Sequence, residues 1–349
     1  LSPDDALSLA GRALFLRFLA DRGIVRGSDA RVIAPGVQSV EGLFETPAVG
    51  YATGCWLDTT FNGNLLPLPF GGARAWFEAL PAVVFKHLGD MLHRAPGGQL
   101  SLPLDWGGID FAHVSPGLLS EVYEAHCAQH YAQAREESIH YTPRGIAELM
   151  VSQSLAAMER PWEACVLDPA AGAGVFLVAA YRELVAARWR HDGTRPTRSV
   201  LRAILHRQLT GFDINETALR LAALSLYLTA LELDPEPTPP DALRFHDLRQ
   251  GLAPHSPTLV HVGTEALPKG AVEPGSLGPA IGVVHDGQYD LVVGNPPWTS
   301  WTKKSPAAVS SGVDRGYQSR GGVGRAPWPD KTPALAFLWR AIVNGSAGG

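Results

Sequence analysis

Apolar positions along this chain recur at helical spacing in its first third and give way to strand–helix alternation further on. Ser2-Pro3-Asp4-Asp5 predicts a helix start: a capping serine, a proline in the first turn and acids near the positive end. Leu7, Ala10, Leu14 and Phe18, with Phe15 and Leu19 beside them, form the apolar face of that helix, and Gly23 is its expected C-cap. Residues 31–72 are rich in Gly, Pro, Thr and Asn and read as loops and short elements. Helical patches follow around Trp76–Leu92 and Pro116–Gln133, the latter with Leu119, Val122, Tyr123 and His126 on one side. These apolar residues read as core packing, and nothing in residues 1–130 carries recognisable chemistry.

The pattern changes near Ser138. His140-Tyr141-Thr142-Pro143-Arg144 leads into a helical stretch, Gly145–Met158, and Ala164–Asp168 reads as a strand entering Pro169-Ala170-Ala171-Gly172-Ala173-Gly174. Val175–Arg190 is the next helix, followed by a basic, turn-rich linker over Arg190–Arg198. Gln208–Ile214 reads as a second strand containing Asp213, and Asn215 caps a helix over Glu216–Leu233. Leu243–Leu248 is the expected third strand, with Asp247 at its end, and residues 250–287 show no periodicity and read as an extended insertion. Tyr289–Val293 then has Val and Leu on both faces, as in a strand covered on both sides of a parallel sheet. Two prolines cannot continue it, so Asn295-Pro296-Pro297-Trp298 forms a loop at its carboxyl end, where ligands bind in open α/β sheets. A helix over Ala334–Ile342 closes the pattern. The alternation predicts an α/β, doubly wound, Rossmann-like sheet behind a mainly helical N-terminal domain, divided at 130/131.

Bulk properties narrow the choice. A length of 349 residues suits about two domains. With 46% hydrophobic and 18% charged residues, there is ample material for a core. The net charge of −5 means that any nucleic-acid footprint must be local. Cys55, Cys127 and Cys165 are scattered, which fits reduced thiols in a cytoplasmic protein, and the twelve histidines show no paired-ligand spacing, so no metal is expected. No apolar run reaches the roughly 18 residues of a membrane span. The chain opens on Leu1 rather than Met and is read as an excerpt of a longer protein, incomplete at its C-terminus.

The two loops carry the candidate chemistry. Small residues over Ala170–Gly174 let a cofactor approach the backbone at a helix N-terminus. A nicotinamide dinucleotide is disfavoured, because that reading requires GxGxxG with an acid about 20 residues on. Asp213 is placed to accept from ribose hydroxyls, Asp168 to contact a cofactor or orient the loop, and Asp247 to accept from an adenine amino group or simply to sit in a turn. In the second loop, the Asn295 side-chain oxygen and the Pro296 carbonyl can both accept from an NH₂ group on a heteroaromatic ring. That localises the nitrogen lone pair for attack on an electrophilic methyl, while Trp298 stacks on the ring at about 1–3 kcal/mol per base.

Tyr141-Thr142-Pro143, then Asp168–Gly174, Asp213 and Asn295–Trp298 resemble, in that order, the S-adenosylmethionine-dependent N6-adenine DNA methyltransferases of gamma-type arrangement, over residues of about 115 to 340. The resemblance implies that Tyr141, Thr142 and Pro143 hold the methionine part of S-adenosyl-L-methionine and that Asp168, Ala170, Gly172 and Gly174 wrap it. It also implies that Asp213 binds ribose and that Asn295, Pro296, Pro297 and Trp298 form the catalytic loop acting on a flipped-out adenine. Leu14–Gly23 resembles, more loosely, the helical lead-in of large restriction-system methylases. From Trp301 to Arg340 there are seven Lys/Arg against Asp314 and Asp330, which suits contacts with double-stranded DNA by Lys303, Lys304, Arg315, Arg320 and Lys331. The rival readings are a protein-glutamine or RNA N-methyltransferase, whose Asn-Pro-Pro loops are related, and a catalytically silent DNA-binding subunit of a restriction or phage-defence complex with further subunits as partners.

Overall fold

The computed structural model describes residues 1–61, 68–93, 111, 142–236, 246–249, 257–262, 275–277, 281, 283–296, 314–318, 321–325 and 333–346. They fall into two compact units, Leu1–Ser115 with Glu236–Asp247, and Pro116–Pro235 with Leu248–Gly349. The expected boundary at 130/131 and the helical patch Pro116–Gln133 lie outside the described residues. Among the described residues, no helix is long and apolar enough to cross a membrane.

The first unit is helical. Its α1 (Pro3–Asp21) starts on a capping box: Asp5 N–H donates to Ser2 Oγ at 3.1 Å, and Ser2 N–H donates to the Asp5 carboxylate at 3.3 Å. Leu9, Ala13, Phe15, Leu16, Phe18 and Leu19 are buried, and so are two arginines of the same helix. Arg12 donates to the Gly54 carbonyl (3.1 Å) and to Asp58 (2.5 Å). Arg17 donates to Asp21 (2.8 Å) and to the carbonyls of Met91 (3.3 Å) and His93 (2.6 Å). Buried charge is tolerated when paired in this way, and the pairs staple α1 to α2 (Pro47–Phe61) and to the end of α4 (Ala82–Leu92).

The Gly- and Thr-rich stretch read as loops contains the fifteen-residue α2. Its glycines serve packing, since a Cβ on Gly50 would lie 3.0 Å from the Phe85 ring and one on Gly54 3.2 Å from the Phe77 ring. The patch Trp76–Leu92 is two helices, α3 (Arg74–Ala79) and α4, separated at Leu80-Pro81, where proline holds the preceding residue extended (ψ 141°).

The second unit carries a four-stranded sheet of order β3-β2-β1-β4, parallel throughout: β1 (Val166–Asp168), β2 (Leu209–Asp213), β3 (Leu259–His261) and β4 (Leu291–Val292). Its fold is the doubly wound α/β, Rossmann-like one. The register pairs Val166 with both Leu209 and Leu291, and Asp213 with His261. Successive strands step outward from β1 to β3, then β4 returns to the other side of β1, which makes a topological switch point at the carboxyl ends of β1 and β4. Phe212, Leu167, Val262, Ile281 and Tyr289 form a core cluster of this unit. Helix α5 (Arg144–Ala156) packs on α6 (Val175–Asp192), α6 contacts β1 and β2, and α8 (Glu216–Leu233) contacts α6, β2 and β3. Asn215 caps α8, its Oδ1 accepting from Thr217 (3.0 Å) and Ala218 (3.1 Å). The basic linker runs straight into a further helix, α7 (Arg198–Arg207).

The third strand of the described sheet is Leu259–His261, within the stretch read as an insertion; of the expected strand Leu243–Leu248, residues 243–245 lie outside the described residues and 246–248 are not in a strand. Leu248 instead lies in a turn, its N–H donating to the Tyr227 hydroxyl (3.2 Å) and its carbonyl accepting from Leu259 (2.8 Å). Past α9 (Pro333–Asn344), Gly345 bridges Tyr289 in parallel and Ser346 N–H donates to the Tyr289 carbonyl at 2.7 Å.

Candidate active site at the switch point

The loop leaving β1 is tied to β2 at two places and closed by a turn of its own. Ala171 N–H donates to the Phe212 carbonyl (2.8 Å), Gly172 N–H to Asp213 Oδ2 (2.7 Å), and the turn closes through Gly174 N–H to the Ala171 carbonyl (2.8 Å). Gly174 is the N-cap of α6 at φ +89°, and a Cβ there would lie 2.9 Å from Ala222 Cβ and 3.1 Å from Ala222 Cα on α8. Only glycine meets both demands, the left-handed backbone and the close approach of two helices. Asp213 also accepts from Asn215 N–H at 2.7 Å, so one carboxylate positions both the glycine loop and the turn after β2. Loss of water around it pushes its pKa above the usual carboxylate range, opposed by the Asn215 and Gly172 amides and by His261.

Asp168 ends β1 with 0% of its surface exposed. Its Oδ1 accepts from Ala170 N–H at 3.1 Å, and its Oδ2 is buried with no hydrogen-bond partner among the described residues. Burial pushes its pKa up to about 8, the Ala170 amide pulls the other way, and the Asp213 carboxylate adds to the rise. Beside it runs the loop leaving β4. A Cβ on Gly294 would lie 2.6 Å from Asp168 Oδ1 and 3.3 Å from Pro169 Cδ, so the glycine before Asn295 is what lets the two loops touch. From the other side, Asn295 Nδ2 donates to Thr142 Oγ1 at 3.1 Å, just ahead of Pro143, the N-cap of α5.

The structure therefore brings Thr142, Pro143, Asp168, Ala170, Gly172, Gly174, Asp213, Asn295 and Pro296 to the carboxyl ends of β1, β2 and β4 or to the cap of α5. Tyr141, Pro297, Trp298, Lys303, Lys304, Arg320 and Lys331 lie outside the described residues. Asp247 is buried but does not end a strand, and it belongs to the helical unit. Arg315 is half-exposed with Nη1 3.7 Å from Asp286. Arg340, counted in the basic stretch, is 1% exposed and 3.8 Å from the same Asp286.

Two residues near Asp213 escaped the sequence reading. Ile214 is 46% exposed directly after Asp213, and its Cγ2 lies 2.8 Å from where Gly275 would carry a Cβ. His261 Nε2 pairs with the Ile214 carbonyl at 2.9 Å. An apolar residue at the apex of a polar turn was the available signal for Ile214. His261 gave none once β3 was assigned elsewhere.

The family model described as N-6 DNA Methylase matches residues 114–345. The chain belongs to that family. Its matched stretch begins ahead of Thr142 and takes in the glycine loop, Asp213 and Asn295. No curated protein matches the chain. Among solved structures it is similar to the type IIG restriction endonuclease BpuSI (15% identity over 97% of this chain and 30% of that one, TM-score 0.49). It is similar also to DrdV in a complex with DNA (15%, 97% and 33%, TM-score 0.45). A third is the type I restriction-modification system methyltransferase subunit from Streptococcus thermophilus (16%, 99% and 68%, TM-score 0.42). The chain spans about a third of the length of the first two, 30% and 33%.

Proposed function

We propose that this N-6 DNA methylase family member transfers a methyl group from S-adenosyl-L-methionine to the exocyclic N6 of a flipped-out adenine in double-stranded DNA, as part of a restriction-modification or phage-defence system. One observation carries the reading: the glycine loop after β1 and the Asn-Pro loop after β4 meet at the switch point, with Asp168 packed on Gly294 and Asn295 bonded to Thr142. The membership of the family supports DNA as the substrate. The proposed division of labour is a helical domain over residues 1–130 and a methyltransferase domain over 131–349.

The residues present fit the cofactor. Asp168 Oδ2 is a buried polar atom in want of a partner, Gly172 at φ +52° has nothing within 4 Å of where a Cβ would stand, and Ile214 offers an exposed apolar surface for a purine ring. In this reading Tyr141, Thr142, Pro143, Asp168, Ala170, Gly172, Gly174 and Asp213 are the residues that hold it. Bound there, it supplies an electrophilic methyl group. The chain's own part is at the acceptor. Asn295 Oδ1 and the Pro296 carbonyl accept from the adenine NH₂, drawing the nitrogen lone pair out of conjugation with the ring. Trp298 stacks on the base, which helps to offset the few kcal/mol that extrusion costs. Lys303, Lys304, Arg315, Arg320 and Lys331 meet phosphates.

Tritiated methyl transfer offered to DNA, RNA and protein, followed by nucleoside analysis, tests this directly. Label is expected in N6-methyladenine of duplex DNA; label in RNA or in glutamine overturns the reading. Asn295→Ala is expected to retain cofactor affinity and lose transfer, and an active Asn295→Ala protein would remove Asn295 from the chemistry.

A further inference from the structure

The Asn295 side chain has two ends that do opposite things: Oδ1 accepts hydrogen bonds and Nδ2 donates them. Only the oxygen can draw on an N–H of an amine; the nitrogen end would set donor against donor. Which end faces a substrate amine therefore depends on what holds the other end. Here Nδ2 donates to Thr142 Oγ1 at 3.1 Å, joining residues 153 positions apart in the sequence.

Thr142 stands on a firm base. The next residue, Pro143, caps α5 at φ −54°, and its carbonyl accepts from Ile146 (2.9 Å) and Ala147 (3.2 Å). A proline also narrows the backbone choices of the residue before it, which here is Thr142. Helix α5 packs along α6, the helix that begins at Gly174. The hydroxyl thus belongs to the half of the site built around the glycine loop, whereas the amide belongs to the loop after β4. Gly294, one residue before Asn295, is wedged on Asp168 of that same half. Among the described residues, two adjacent points of the loop meet this half, one fixing its backbone and one fixing the turn of its amide.

We propose that Thr142 is a positioning residue that selects which end of the Asn295 amide meets the substrate nitrogen. The assignment rests on the methyl-transfer reading above and adds to it a role for Thr142 in the chemical step besides any in holding the cofactor.

The test compares the intact protein with Thr142→Val, which keeps the shape and removes the hydroxyl, and with Thr142→Ser, which keeps the hydroxyl. Calorimetry gives S-adenosyl-L-methionine affinity, and kcat is measured at saturating cofactor and DNA. The valine variant is expected to show kcat lowered roughly tenfold, the factor that one hydrogen bond corresponds to. The serine variant is expected to recover to within about twofold, as a role resting on the hydroxyl requires. If saturating cofactor restores the valine variant to the parent kcat, Thr142 is a cofactor ligand only and the proposal is overturned. A serine variant as slow as the valine one overturns it equally, because the methyl group would then be what matters. Thr142→Ala takes the place of the valine variant if thermal melting shows that Thr142→Val has lost its fold. Methylation by the parent with an unchanged Thr142→Val kcat sinks this inference alone. A parent that binds cofactor and methylates no DNA sinks the underlying reading, and this inference with it.

Discussion

At Asp168 burial and charge conflict. Burial raises its pKa to about 8, whereas in an unfolded chain an aspartate ionises near about 4. Between those values the folded protein binds more protons than the unfolded one, so this stabilising contribution is complete below about pH 4 and is lost as pH rises through about 8. Asp168→Asn removes the ionisation while keeping an acceptor for Ala170 N–H. Without cofactor, the variant is expected to melt above the parent at pH 8, by a margin on the order of a few kcal/mol, with the gap closing towards pH 4. Parallel melting curves across that range would show that Asp168 is not protonated in the fold. Asp213 conflicts less, because each of its oxygens already accepts a backbone N–H, from Gly172 and Asn215. Asp213→Ala therefore has two expected effects: a loss of roughly 1–3 kcal/mol of stability from the two unpaired amides, and weaker S-adenosyl-L-methionine binding. Unchanged affinity by calorimetry would remove Asp213 from the ribose contact and leave it a tie between loops.

Among the elements, α6 and α8 come into close contact at Gly174. An alanine there is asked to adopt φ +89° and to sit 2.9 Å from Ala222 Cβ. The first demand costs about 1–2 kcal/mol and the second about 1–3 kcal/mol. Gly174→Ala is expected to lower the melting temperature accordingly. Adding Ala222→Gly should restore the part due to the Cβ contact, but neither the 3.1 Å approach to Ala222 Cα nor the part due to φ; no recovery in the double variant would mean that the two Cβ positions do not crowd each other. The same loop shows why some of this site was legible in the sequence. Asp168, Asp213 and Asn295 sit at the ends of strands β1, β2 and β4, and an apolar run followed by a turn marks a strand end locally. Strand β3 escaped because three residues, Leu259–His261, are too few to show a period. Helix α2 escaped because Gly50 and Gly54 are there for Phe85 and Phe77, which no local pattern reveals. The bond from Asn295 to Thr142 spans 153 residues and exists only once α5 and β4 are placed in the same unit.

For the molecule as a whole, charge decides how it can meet a polyanion. A net charge of −5 gives no general attraction to DNA, and the proposed phosphate contacts are drawn from the stretch from Trp301 to Arg340. The seven basic residues of that stretch are not equivalent. Arg340 is buried against Asp286 and cannot reach a phosphate without leaving the core, and Arg315 shares the same carboxylate at 3.7 Å. Arg325 lies 3.8 Å from Asp314. If Lys303 and Lys304 each neutralise a phosphate, replacing both by glutamine reduces the dependence of log affinity on log salt by roughly two, about 0.9 for each contact. Because phosphates carry no sequence information, the loss should be equal on every duplex tested. Arg340→Met, by contrast, should leave the salt slope unchanged, since a buried guanidinium releases no counterions from DNA, while shifting the melting temperature. Titrations of the parent and both variants at several salt concentrations separate the two kinds of residue. A slope unmoved by the double lysine change would take the phosphate contacts away from these lysines, and a slope altered by Arg340→Met would mean that α9 opens when DNA binds.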